Sequence, residues 1–199
     1  MNQVVDEELL KRFAGGDSAS FKLLYERHKG GLYRYLLRQL KNQQLAEDLF
    51  QDTWSKVIDR AESFEPNAKF STWLYTMARN RVVDQVRHLQ VVEKVIDDSV
   101  DGAEGQINDS EVHQTRGEKM LIADKQRFFL KECMKRLPVK FLDVFLLKEE
   151  STLTIKQIAE IVGSSHEATK SRLRYAYAQL RDCLSKKMPD WGTEDAHHE

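Results

Sequence analysis

The chain has 199 residues, a net charge of −1 and 41% hydrophobic residues. That is enough length for one domain or two small ones, and enough apolar content for a core, which excludes general disorder. A near-neutral total gives no sign of a nucleic-acid partner, so any such sign must come from how the charge is distributed. Three Pro and few β-branched runs favour an all-α protein. The opening MNQVVDEELLKRF carries early acids and no apolar stretch, so a secretory signal is not expected. No apolar run reaches membrane-spanning length. A soluble, cytoplasmic protein with no membrane insertion is the expectation. Cys133 and Cys183 match no metal or redox spacing and read as buried thiols in a reducing compartment.

Val5–Ala14 reads as a short amphipathic helix, ended by Gly15-Gly16, with Asp17 placed to cap the next. Phe21–Leu40 is a long helix with apolar residues at steps of three and four; Gly30-Gly31 sits inside that pattern as its weakest point. His28 lies on its apolar stripe and reads as a core histidine. Gln44–Ala61 is a third helix. Leu45, Leu49, Val57 and Ile58, with Phe50 and Trp54, face inward or sideways, while Glu47, Asp48, Gln51, Asp52 and Ser55 form an acidic strip. That strip is either a solvated face or a dock for a basic partner helix. Glu62–Lys69, with Pro66 and Asn67, is a loop flanked by Phe64 and Phe70.

Phe70–Arg87 is the most informative stretch. Ser71 is placed to cap a helix whose core arc holds Phe70, Leu74, Met77, Ala78, Val82 and Val86. Trp73, Thr76, Arg79, Asn80, Asp84 and Arg87 lie opposite. Trp73, Asn80 and Arg87 recur by sevens and line one stripe, with Arg79 beside it. An outward indole among cations and amides suits unpaired nucleic acid, because bases stack on the ring and phosphates meet the cations. The plainer alternative is a Trp at the edge of a core. From Glu93 to Glu111 seven acids face one Lys94. This acidic run reads as a flexible linker at 91–117, between a domain at 1–90 and a second at 118–187.

The second domain begins with a helix near Glu118–Arg136. Pro138 then starts Val139–Glu149, with Phe141, Leu142, Val144, Phe145 and Leu146 for its core. Thr154 with Gln157, and Ser164 with Glu167, form two capping boxes around a turn at Gly163. A short helix, a Gly turn and a basic second helix make the helix–turn–helix plan. Thr169, Leu173, Ala176, Leu180 and Leu184 face inward on the second helix; His166, Glu167, Lys170, Ser171 and Arg174 face outward, where base edges are read. Between Lys156 and Lys187 seven basic residues stand against three acidic ones, in keeping with phosphate contact. The tail at 188–199 reads as mobile, and its His197-His198-Glu199 as an unstructured end rather than a metal site. No nucleophile is paired with an organised base and no carboxylates have metal spacing, so no catalytic residue, metal or cofactor is expected, nor a small-molecule substrate.

AEDLFQDTWSKV (46–57), FSTWLYTMARNRVVDQVR (70–87), RLPVKFLDVFLL (136–147) and the helix–turn–helix occur in that order. Together they resemble a bacterial RNA polymerase sigma factor of the extracytoplasmic-function type, the compact group with domains two and four alone. The resemblance implies that Asp48, Gln51, Asp52 and Trp54 bind core RNA polymerase. It implies that Phe64, Asn67, Lys69 and Phe70 take a flipped base of the minus-ten element, with Trp73, Arg79, Asn80 and Arg87 holding the melted strand. It gives His166, Glu167, Lys170, Ser171, Arg172 and Arg174 to the minus-thirty-five duplex, and the acidic linker to a path through the polymerase. Promoter DNA, duplex and melted, is then a partner, and so is an anti-sigma factor. The chain departs from the family pattern at Glu167-Ala168-Thr169, where Gly-Thr-Val is common; Thr169 is polar in an apolar slot, and its hydroxyl is expected to bond back along its helix. The competing reading is a helix–turn–helix regulator that binds DNA without joining the polymerase; it leaves 46–87 unexplained.

Overall fold

The computed structural model describes residues 4–65, 69–97 and 122–188, with backbone alone at 89–97 and 122–123. Eight α-helices account for most of them: α1 (Asp6–Ala14), α2 (Ser18–Leu40), α3 (Gln43–Asp59), α4 (Phe70–Asp97), α5 (Ile122–Lys135), α6 (Val139–Glu150), α7 (Ile155–Val162) and α8 (His166–Lys187). A 3-10 turn at Ala61–Ser63 follows α3, and no strand occurs among the described residues. The all-helical expectation holds. Asn67, most of the acidic linker and the tail from residue 189 lie outside the described residues.

Local chemistry sets the helix starts. The Asp17 carboxylate accepts from the N–H groups of Ala19 and Ser20 at 3.0 and 3.3 Å, and from the Ser20 hydroxyl at 2.7 Å. Asn42 caps α3 by accepting from Leu45 N–H at 3.0 Å. Thr154 and Gln157 form the expected capping box at α7. Each such cap is worth about 1 kcal/mol.

Two local expectations are corrected. First, α4 begins at Phe70, ahead of the Ser71 expected to cap it; the Phe70 N–H is satisfied from a distance, by the Glu7 carboxylate of α1 at 3.0 Å. The same helix runs on to Asp97, through residues 91–97 that the sequence reading gave to the linker. Second, α8 is capped by Ser165, which accepts from Ala168 N–H at 3.1 Å, and not by Ser164. Ser164 is used to close α7: its N–H donates to Ala159 O at 2.9 Å across Gly163, whose φ of +63° suits glycine. The long helix expected at Phe21–Leu40 holds: α2 passes unbroken through Gly30-Gly31. A Cβ added at Gly31 would lie 2.2 Å from the Glu150 carbonyl oxygen, so the glycine permits a close approach of α2 to the end of α6.

The core is one continuous cluster. Leu24, Leu32, Tyr35 and Leu36 of α2 lie at its centre, with Phe70, Leu74, Tyr75 and Ala78 of α4 on one side and Leu146 and Leu147 of α6 on another. Each fully buried Leu contributes about 1.5–3 kcal/mol. On α8 the inward residues are Thr169, Leu173, Ala176, Leu180 and Leu184, the set that the periodicity predicts. His28 is the core histidine expected, its Nε2 lying 2.7 Å from the Asp6 carboxylate. Cys133 and Cys183 are not free thiols; they form a disulfide that ties α5 to α8. The pair is 50 residues apart in the chain, so no local spacing could announce it.

Candidate nucleic-acid interface

Three surfaces hold the residues singled out by the sequence. The first is the outer strip of α3. Asp48 and Gln51 are exposed there. Gln44 donates to Asp48 at 3.0 Å. Asp52 is half-exposed and paired, with Arg81 Nε at 2.7 Å and Lys56 at 3.5 Å, which ties the strip to α4. Trp54 is different: it is 5% exposed, and its ring packs against Tyr25 at 4.9 Å and Phe21 at 5.8 Å. It fixes α3 on α2 from beneath the strip.

The second surface is the start of α4 and the loop before it. Phe64 and Trp73 are half-buried, with ring centroids 5.2 Å apart in an edge-to-face contact. Phe70 lies beneath both, at 6.5 and 6.1 Å, and has no exposed surface. It supports the two rings and offers no face of its own. Edge-to-face pairs of this kind hold rings in fixed orientations. Lys69 is exposed at the rim, 3.8 Å from Glu7. Asn80 and Arg87 are exposed further along the helix. Arg79 is not on open surface: its Nε donates to Asp143 of α6 at 2.7 Å, and its Nη1 reaches Ile161 O of α7 at 3.4 Å.

The third surface is α8. His166, Glu167, Lys170, Ser171 and Arg174 are exposed and Arg172 is half-buried. Lys170, Arg172 and Arg174 have no acidic partner among the described residues. Glu167 lies 3.3 Å from the His166 ring nitrogen, so the acid at the tip of the helix faces a basic neighbour. Thr169 is fully buried, and its hydroxyl donates to Ser164 Oγ at 3.5 Å rather than to a carbonyl of its own helix as expected. Tyr175 stacks on Phe141 with centroids 4.1 Å apart, and the Tyr177 hydroxyl donates to Glu149 at 2.5 Å. Burial and the Glu149 carboxylate push the Tyr177 phenol well above its ordinary range, so it stays a donor.

The sequence reading missed a polar group between α2, α4 and α6. Asp143 accepts from Tyr35, Gln39 and Arg79, and Glu150 pairs with Arg34 and Arg38. Burial and the Asp143 carboxylate raise the Tyr35 phenol well above its usual value. The signal was present: Asp143 is an acid inside the apolar run FLDVFLL. Among the described residues no cluster of three His, Cys, Asp or Glu could hold a metal, and no helix is long and apolar enough to cross a membrane.

Comparison with known proteins bears on what these surfaces do. The Sigma-70 region 2 family matches residues 24–91. The chain is 30% identical over 184 residues to the ECF RNA polymerase sigma factor SigK of Mycobacterium bovis (strain BCG / Pasteur 1173P2), covering 89% of this chain and 92% of that protein. It is 26% identical over 190 residues to the ECF RNA polymerase sigma factor SigW of Bacillus subtilis (strain 168), covering 94% and 99%. Its fold is similar to that of the sigma factor RpoE from Bartonella quintana, solved with the anti-sigma factor NepR: TM-score 0.63, 24% identity, 83% of this chain and 96% of that one.

Proposed function

The chain belongs to the ECF RNA polymerase sigma factors, which direct RNA polymerase to promoters, and from that premise we propose a division of labour among its three surfaces. The protein is not an enzyme; the polymerase carries out the chemistry. Asp48, Gln51 and Asp52 dock core polymerase, on a helix that Trp54 holds in place. Phe64 and Trp73, propped by Phe70, take bases of the melted minus-ten strand. Lys69 borders that platform, Asn67 from the same stretch of chain is assigned to the same element by the family resemblance, and Arg79, Asn80 and Arg87 meet the strand beyond it. Flipping a base costs a few kcal/mol, which a stacking partner offsets. On α8, His166, Glu167, Lys170, Ser171, Arg172 and Arg174 read the minus-thirty-five duplex. Two domains, 1–90 and 118–187, joined by the linker at 91–117, make the second grip effectively intramolecular. Work with RNA polymerase places the protein in the cytoplasm. RpoE of Bartonella quintana has an anti-sigma partner, and an anti-sigma factor is part of this reading too.

The observation that carries the reading is the outer face of α8, whose Lys170, Arg172 and Arg174 have no acidic partner among the described residues, on a capped helix after a Gly163 turn. The test is Arg174→Ala in reconstituted holoenzyme, assayed on a set of minus-thirty-five variants. A base contact predicts a loss of about 1–3 kcal/mol and relaxed preference at one position. A uniform loss over all sequences would assign Arg174 to phosphate, and no loss would remove α8 from the interface.

A further inference from the structure

The C-terminal end of α2 and the helices α5 and α6 border a cavity of about 400 Å3. That volume lies in the range of small-molecule sites. Its floor is aliphatic: Met134 and Leu142 are buried, and Leu37 and Leu130 are half-buried. No aromatic ring is among the described residues that line it, so a planar base would find no stacking partner there. A flexible alkyl chain gains from such a floor simply by leaving water.

The rim is cationic. Five Lys or Arg side chains line the cavity, with no acid among the described lining residues. Three of the five are shared with acids outside it: Arg38 with Glu150, Arg127 with Asp124 at 3.9 Å, and Lys135 with Glu132 at 3.1 Å. Lys41 and Lys131 have no acidic partner among the described residues. An anionic head group above the floor would be attracted by both.

Lys41 is held at this rim at a conformational cost. It caps α2 with φ +54°, and it is the one described residue other than glycine with a left-handed backbone. Glycine takes such a helix end without strain. The helix end does not require a second cation either, because Arg38 already stands in its last turn. A lysine at this position is accounted for by what its side chain meets at the cavity.

We propose that this cavity binds a free aliphatic acid of the fatty-acid class as its carboxylate. The chain lies on Leu37, Leu130, Met134 and Leu142, and the head group sits between Lys41 and Lys131. The occupant is an effector and not a substrate, since no nucleophile paired with a base lines the cavity.

The test is calorimetric titration of the full chain with decanoate, beside 1-decanol as the uncharged chain and acetate as the head group alone. The variants are Lys131→Gln, Lys41→Gly and, on the same helix as Lys131 but away from the cavity, Lys125→Gln. Lys41→Gly removes the cation and relieves the backbone together, so it should melt no earlier than the wild type while losing the ligand. The expected result is one decanoate per chain, weakened roughly tenfold or more by Lys131→Gln and by Lys41→Gly, and unchanged by Lys125→Gln. Decanol and acetate should each bind at least roughly tenfold more weakly than decanoate. No saturable binding of decanoate overturns the proposal. Equal binding of decanol, or an equal loss from Lys125→Gln, overturns it as well, the first by removing the head-group site and the second by showing only diffuse charge. A glutamate-rich peptide that binds through Lys131 where decanoate does not would give the cavity to an acidic protein partner and overturn it too.

Discussion

Trp73→Ala tests whether the aromatic platform serves the melted strand. The indole is half-buried, 5.2 Å from Phe64 and 6.1 Å from Phe70, and its remaining surface is open. A base stacked there is worth about 1–3 kcal/mol, or about 5- to 150-fold in affinity. Truncation also removes packing: a fully buried Trp→Ala costs about 3–5 kcal/mol, and for a ring buried by half roughly 2 kcal/mol. Trp73→Phe keeps a stacking face at smaller structural cost and provides the control. The assay is holoenzyme binding to two DNAs, a fork with an unpaired minus-ten strand and a closed duplex with the minus-thirty-five element alone. The expected result is a loss on the fork, largely restored by Phe, with little change on the closed duplex. Equal losses on both would mean that Trp73 supports the fold and not the strand, and the reasoning would be refuted.

Four further outcomes follow. Asp48→Ala weakens association with core polymerase while helix content is kept, as size-exclusion binding would reveal; unchanged association would return the α3 strip to a solvated face. Thr169→Val changes stability by less than about 1 kcal/mol, because the long bond to Ser164 Oγ is weak and the site is fully buried; a larger loss in urea unfolding would show that the hydroxyl is needed. Reducing Cys133–Cys183 releases a cross-link over 50 residues, worth about 4 kcal/mol by chain entropy, so the C-terminal helices melt earlier in reductant; an unchanged melting profile would count against the bridge. Acid weakens the anchoring of α1. Burial raises the Asp6 pKa, but hydrogen bonds from His28 and Arg27 outweigh it and hold the carboxyl below its ordinary 3.8. A depressed folded pKa gives stability that is complete above about 3.8 and lost as pH falls through the folded value; Asp6→Asn should flatten that part of the stability profile, and an unaltered profile would refute the linkage.

Much of this arrangement was legible in the chain because it is written in local patterns. The inward face of α8, the capping box at Thr154 and Gln157, and the Asp17 cap each depend on residues within a turn or two. The misreadings involve distant partners. Phe70 starts α4 without a local cap because Glu7 reaches it from α1. The reason for a glycine inside α2 was equally distant: Gly31 is where the end of α6 approaches. The disulfide joins helices 50 residues apart. On the α4 surface, the seven-residue spacing of Trp73, Asn80 and Arg87 was visible, but the partner of Arg79 was not, since Asp143 lies 64 residues away. Asp143 within FLDVFLL was itself a clue: an acid in an apolar helix needs a donor from elsewhere.

The central claim is most directly tested by transcription in vitro with purified core RNA polymerase, genomic fragments and this protein, mapping the transcript starts. The account predicts defined starts that appear only when the protein is added, each preceded by a common pair of elements near minus ten and minus thirty-five. Core polymerase that neither binds the protein nor gains a start from it would contradict the account.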